Sequence, residues 1–260
     1  MIGVTQGKGK KTMDKKPKEI ICFIPARSGS QRVPNKNIRD LCGHPLIAYT
    51  IRVAIESGIF KRVYLVSDSP EYLKLGEKYG ASPALENADK DWTTSRDFDW
   101  VKQMADDGVL GPGQYFMILR PTNPFKTTLT VTSAWEIFKS HSADSVRAVK
   151  RVTGHPFKMW ASKDGSGFIR PLLRNPRPKA PPYFERQTQS FLAPKYIQTG
   201  TLEISHVSTL DRGNISGDKV FPYFCQGHEG FDINTEEDWI LAEVLAERGI
   251  AVLPKVKVDI

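Results

Sequence analysis

IICFIPARSGSQRVPNKN, residues Ile20 to Asn37, passes from an unbroken apolar run into a Gly/Ser loop loaded with cations. Ile20, Ile21, Cys22, Phe23 and Ile24 show no polar alternation, the pattern of a strand buried on both faces of a parallel sheet. A turn follows, because Pro25 has no amide hydrogen to donate. Beyond it, Ala26, Ser28, Gly29 and Ser30 are small enough for backbone N–H groups to approach a ligand, and Arg27, Arg32 and Lys36 add positive charge among them. That combination suits a polyphosphate. The spacing is neither the GxxxxGK[ST] of a P-loop nor the GxGxxG of a dinucleotide site. A solvated basic turn between strand and helix is the competing reading.

Outward from this loop the chain alternates strand and helix. Pro45 at a first helical position and Gly58 just past a last one bracket Leu46 to Ile55, Lys61 to Val66 reads as the second strand, and Ser69-Pro70 opens a helix ending at Gly80. Strand, helix, strand, helix means parallel pairing through right-handed crossovers. The fold class is therefore α/β: a Rossmann-like, mostly parallel central sheet with helices on both faces. Asp68 lies where ligands of such sheets collect, and a loop or capping role explains it equally well. Ser95 precedes a helix through Met104. Gln114 to Leu119 is the central strand and empties into Arg120-Pro121-Thr122-Asn123-Pro124-Phe125, where two prolines fix a hydrogen-bonding loop at the sheet's mouth, a plain structural turn being the alternative. Thr127/Thr128 cap a helix to Ser140, and Asp144 to Val149 is another strand. From about residue 152 to 200 the character changes, with a hairpin signal at Asp164-Gly165-Ser166-Gly167 and a Pro/Arg-rich stretch from Pro171 to Pro182, read as a protruding arm or lid. Thr235 caps a last helix with Asp238 three residues on, closed by Gly249.

At 260 residues the chain accommodates a single domain over residues 19–260 with that excursion, preceded by a basic leader over residues 1–18. In the leader, Lys8, Lys10, Lys11, Lys15, Lys16 and Lys18 against Asp14 hold five of the eight formal positive charges. Rich in Gly and Lys and poor in apolar residues, it is expected to stay disordered. The modest charge left on the body argues against a nucleic-acid partner, which needs basic residues interleaved with aromatics on one face. Cys22, Cys42 and Cys225 have no CxxC or metal spacing and sit in apolar surroundings, so buried, reduced thiols in a cytoplasmic protein are expected. No run approaches the ~20 apolar residues of a membrane span, and a secretory h-region is lacking, so no membrane partner is expected.

The motifs resemble those of the sugar-acid cytidylyltransferases, the CMP-sialic acid synthetase family, whose first motif runs approximately IPAR-G-GS-K-x-[IL]-P-x-KN-[IL]. Ile24-Pro25-Ala26-Arg27, Gly29-Ser30, Val33-Pro34 and Lys36-Asn37-Ile38 stand at the matching places, with Gln31 where the family is usually basic. Gly43-His44-Pro45-Leu46 is similar to its G-x-P-L-[IL], and Arg120 to Phe125 to its L-Q-P-T-S-P-[LF]-R, with Arg120 in place of Gln. Arg186-Gln187 matches an Arg-Gln pair. Gln198 to Ile204 falls on N-G-A-[IL]-Y, with Gly200 kept but Thr199 for Asn and Glu203 for Tyr. Asp232-Ile233-Asn234 falls on D-I-D, with Asn234 for the second Asp. The V-S-T-D of the family is one residue short at Val66-Ser67-Asp68, and its Arg-Pro dipeptide is missing near Glu86 and Asn87.

The resemblance implies a fold of the nucleotide-diphospho-sugar transferase type. It implies CTP on Pro25, Ala26, Arg27, Ser28, Gly29, Ser30, Arg32, Lys36 and Asn37, joined by the Ser95 hydroxyl unless Ser95 is simply an N-cap. An acidic sugar would lie on Arg120, Thr122, Asn123, Arg186, Gln187, Gln198 and Thr199, with Mg²⁺ or Mn²⁺ on Asp232 and Asn234. At Arg120 a guanidinium can hold a carboxylate in a fork that an amide cannot. Arg27, Lys36 and Asp232 are the implied catalytic residues, acting in transfer of CMP from CTP to the anomeric hydroxyl of a carboxylated keto-sugar, a sialic or related nonulosonic acid. Pyrophosphate would leave, and the product would feed lipopolysaccharide, capsule or other surface glycan assembly. In relatives the arm packs on a second subunit, which implies a homodimer. Two alternatives stand beside this: a nucleotidyltransferase using another nucleoside triphosphate or a sugar phosphate, and a non-catalytic nucleotide-binding homologue.

Overall fold

The computed structural model describes residues 20–85, 96–162, 165, 167–173 and 194–257. In chain order the elements are β1 (Ile20–Pro25), β2 (Asp40–Leu41), β3 (His44–Pro45), α1 (Leu46–Ser57), β4 (Arg62–Ser67), α2 (Pro70–Lys78), β5 (Ser82–Leu85), α3 (Asp97–Asp106) and β6 (Tyr115–Ile118). There follow α4 (Thr128–Ser140), β7 (Ser145–Arg151), β8 (Trp160–Ser162), β9 (Ile169–Pro171), β10 (Tyr196–His206), β11 (Val220–Phe224) and α5 (Glu236–Glu247).

The side chains of β1 divide between two cores. Ile20, Cys22 and Ile24 join Ile47, Ile51, Leu65 and Val131, whereas Ile21 and Phe23 join Val66, Trp100, Val101 and Phe116. A strand's period of two sends alternate side chains to opposite faces, so a run covered on both sides must be apolar throughout. Helices α1, α2 and α4 cover one face, and α3 covers the other.

The main sheet runs β11-β7-β10-β6-β1-β4-β5. β1 is parallel to both β4 and β6, β4 to β5, and β7 to β11. The mostly parallel sheet is present, with one exception that the sequence pattern did not announce. β10 is inserted between β6 and β7 and is antiparallel to both, with a register shift between Gln198 and Glu203.

Local signals placed most element ends. Gly58 turns α1 off at φ 67°, its N–H returning to Ile55 O, while Pro45 caps that helix instead of opening it. Ser69 accepts from the Tyr72 N–H at the start of α2, with Pro70 in the first turn. Thr127 with Thr130, and Thr235 with Asp238, close capping boxes on α4 and α5. Within the excursion, β8 and β9 pair as the expected antiparallel hairpin. That hairpin and its flanks leave Trp160, Phe168, Ile169 and Leu172 exposed. The leader lies outside the described residues, and no helix among those described is long and apolar enough to cross a membrane.

Candidate active site

β1, β4 and β6 end at the same edge of the sheet, so the segments that leave them meet there. Ala26 N–H donates to Val66 O and Leu119 N–H to Phe23 O, at 2.8 and 2.9 Å, carrying the ladders one step past the strands. Ser28 then turns both its N–H and its hydroxyl onto the Asp68 carboxylate, 2.9 Å each. Asp68 is thus the anchor that fastens the loop to the end of β4. At the loop's far end the buried Asn37 donates its amide to Arg27 O at 3.0 Å, and Asn37 O accepts the Ile47 N–H of α1 at 2.9 Å. Between these two anchors lie Gly29 and Ser30. No atom stands within 4 Å of where a Cβ on Gly29 would be, so its backbone is open to approach.

The loop's cations reach the segment that precedes α5. Lys36 Nζ donates to Ile233 O at 2.7 Å, and Arg32 donates to Asn234 Oδ1 at 3.2 Å. Burial pushes the Lys36 amine below the ordinary lysine range; the Asp232 and Asp238 carboxylates oppose that shift and Arg32 adds to it. The segment is held from the other side by Ile233 N–H donating to Thr122 O at 2.9 Å and by the Asn123 amide donating to Phe231 O at 2.7 Å. Asn123 is fully buried, and its neighbour Thr122 offers a backbone carbonyl to the segment.

Asp232 accepts from the Asn234 amide through Oδ2 at 2.8 Å, whereas its Oδ1 is buried without a hydrogen-bond partner. An orphaned carboxylate oxygen fits a hard divalent cation. Both polar atoms of Asn234 are already engaged, one by Arg32 and one by Asp232. Among the described residues no group of three acidic, His or Cys side chains could hold a metal. A cation here would therefore take most of its ligands from phosphate and water.

On the opposite side of the site, Arg120 donates through one nitrogen to Asp97 and to Glu203, at 2.5 and 2.8 Å. Glu203 also pairs with the buried Arg147, so the charges alternate Asp97, Arg120, Glu203, Arg147. Burial works against the Asp97 carboxylate, but the Arg120 charge and hydrogen bonds from Arg120 and Trp100 Nε1 outweigh it and hold its pKa below the ordinary aspartate range. Arg27 adds its field to the same carboxylate. Burial pushes Arg147 down to about 10. Arg120 and Glu203, two separate departures from the family's motifs, are thus bonded partners. Gly200 fits beneath them, since a Cβ there would stand 2.8 Å from Asn123 Oδ1 and 3.0 Å from Arg120 Cδ. Thr199 is buried with its hydroxyl 3.0 Å from that of Thr201, and Gln198 is exposed on β10. Ser95, Arg186 and Gln187 lie outside the described residues.

Sequence reasoning passed over Asp97, Arg147 and Lys126. Lys126 is fully buried and bonds to Thr50 Oγ1, Arg120 O and Asn123 O. It stands where the L-Q-P-T-S-P-[LF]-R motif has its arginine, a signal that could have found it.

Known proteins resemble this chain in sequence and in fold. The family described as cytidylyltransferase matches residues 21–153, just over half of the chain. An N-acylneuraminate cytidylyltransferase of Streptococcus agalactiae is 29% identical over 223 residues, 85% of this chain and 51% of that protein. The chain accordingly spans about half the length of the streptococcal relatives it matches. The CMP-N,N'-diacetyllegionaminic acid synthase of Legionella pneumophila is 29% identical over 240 residues, 88% of this chain and 96% of the relative. A solved structure of a CMP:2-keto-3-deoxy-manno-octonic acid synthetase complexed with CTP shares the fold, with a TM-score of 0.64 at 14% identity, covering 89% of this chain and 99% of the other. The matched span contains the Arg27–Lys36 loop, Asp68 and the Arg120–Lys126 loop, and it makes this chain a member of the cytidylyltransferase family.

Proposed function

We propose that this chain transfers CMP from CTP to the anomeric hydroxyl of a carboxylated keto-sugar of the nonulosonate class, releasing pyrophosphate. One observation carries the reading: Lys36 and Arg32 of an anchored loop converge on the segment holding Asp232, whose Oδ1 has no partner. The names of the relatives, which act on acylneuraminic and legionaminic acids, support the sugar class.

In this reading the open backbone at Gly29 and Ser30 receives phosphate oxygens, and Arg27, Arg32 and Lys36 balance their charge. As the sugar oxygen bonds to the α-phosphorus in line and the bond to pyrophosphate breaks, charge gathers on the non-bridging oxygens. Cations already fixed in place stabilise it without reorganising at the moment of reaction. The Ile233 carbonyl fixes Lys36 in that way. Asp232 is the residue that would hold Mg²⁺ or Mn²⁺, which when bound supplies charge neutralisation across the phosphates. Arg120, Thr122, Gln198 and Thr199 border the acceptor side, with Asn123 supporting them from within. The exposed Trp160, Phe168, Ile169 and Leu172 supply a surface for a second copy of the chain, giving a homodimer. The reaction belongs to cytoplasmic synthesis of activated sugars for surface glycans.

The test is pyrophosphate release with CTP and three other nucleoside triphosphates against N-acylneuraminic, legionaminic, pseudaminic and 2-keto-3-deoxy-manno-octonic acids. CTP with a nonulosonate is expected to turn over, and Lys36→Ala to lower kcat about 10²–10³-fold with the circular dichroism unchanged. Undiminished release from Lys36→Ala would remove that residue from catalysis. CTP binding with no turnover on any sugar would favour the non-catalytic reading.

A further inference from the structure

Lys126 directly precedes Thr127, the cap of α4, and is among the largest fully buried side chains of the molecule. An ammonium group has three protons to donate. Here all three are spent on neutral oxygens: Thr50 Oγ1 at 3.0 Å, Arg120 O at 2.7 Å and Asn123 O at 2.5 Å. Among the described residues no carboxylate forms an ion pair with it. Burial pushes the amine down to about 7, against the fields of Cys22, Asp232 and Cys225 that pull it back up. Burying a cation without a counter-ion is costly, and the contacts show what the cost secures.

The three acceptors belong to two different parts of the fold. Thr50 lies within α1, the helix that starts just after the cationic loop, whereas the two carbonyls belong to the loop that follows β6. That same loop holds the Asp232 segment, through Ile233 N–H on Thr122 O and the Asn123 amide on Phe231 O. Lys126 therefore ties α1, across the Arg120–Asn123 loop, towards the segment of Asp232. We propose that Lys126 is a positioning residue for the acceptor side of the reaction: it sets the height of the Arg120 to Asn123 loop, and with it the placing of the sugar against the nucleotide.

The inference rests on the transferase reading, so CTP binding and acceptor turnover are measured separately, the acceptor being whichever sugar acid of the panel above the wild-type chain uses. Lys126→Met keeps the length of the side chain and removes every donor. Its kcat/KM for the sugar acid is expected to fall about 10²-fold, the scale of a ~1 Å misplacement, while the Kd for CTP by calorimetry stays at the wild-type value. Thr50→Val, which deletes one acceptor at constant volume, is expected to raise the sugar KM in the same direction, and Thr50→Ser to restore it. This pair carries the test should Lys126→Met fail to fold. A Thr50→Val protein indistinguishable from Thr50→Ser would overturn the proposal, as would sugar and CTP parameters falling together. If the wild-type chain turns over no sugar, the transferase reading itself fails, which is a distinct result.

Discussion

The two halves of the sheet bury different chemistry. On the side of the proposed nucleotide site, β1, β4 and β6 fill the core with Ile, Val, Leu, Phe and Met, and Ser67, the last residue of β4, is the one buried polar residue in these three strands. On the side of the proposed acceptor site, β7 and β10 bury Ser145, Arg147, Thr199, Thr201, Glu203 and Ser205 within the strands themselves. An apolar strand accepts any neighbour of suitable volume, but a buried polar network accepts only the partners that complete it. The nucleotide half is a general platform with a specific loop attached. In the acceptor half, the polar network reaches down into the sheet.

The sharpest break of that contrast is at Glu203. Its side chain is 4% exposed and that of Arg147 is 7% exposed, so Glu203→Gln leaves a buried guanidinium without its charge partner. Stability is expected to drop by about 3–5 kcal/mol in urea unfolding. A loss nearer the ~0–1 kcal/mol of a surface pair would erase the distinction between the halves. Gly200→Ala tests the same side by volume. The new Cβ meets Asn123 Oδ1 at 2.8 Å, and the Asn123 amide is tied to Phe231 O and cannot yield freely. The expected cost is about 1–3 kcal/mol, with sugar turnover falling further than CTP affinity. Asp68→Ala makes the matching cut on the nucleotide side by freeing Ser28 from its anchor. Only about 1 kcal/mol of stability is expected to go, because Ser28 is part-exposed and water replaces the lost acceptor. Here calorimetry should show weaker CTP binding with the sugar KM unchanged, the reverse of the Gly200 variant.

How much was legible before the fold was known follows the same division. β1 could be read outright, since five consecutive apolar residues ahead of Pro25 have few other uses in a chain of this kind. Caps at Ser69, Thr127 and Thr235 were legible because partner and cap lie three residues apart. The Ser28–Asp68 anchor was half legible: the position of Asp68 was marked, but its partner lies 40 residues away. Arg120 and Glu203 each stood out as a departure from a motif, yet their bond spans 83 residues and required the antiparallel placing of β10 to bring them together. Lys126 looks like any exposed lysine between Phe125 and Thr127. Only its place opposite the arginine of the L-Q-P-T-S-P-[LF]-R motif marks it, and the burial itself depends on Thr50, 76 residues away.

The late return of β10 bears on how the nascent chain must manage itself. β1, β4 and β5 find their mutual partners within the first part of the polypeptide to be synthesised, but β6 and β7 each keep a bare edge until the excursion has been completed and β10 slots between them. Unpaired edges are templates for strands of other molecules. A polypeptide truncated before Tyr196 would lack β11 as well as β10 and would carry three of them, one on β6 and both on β7, and aggregation is the fate its topology prescribes.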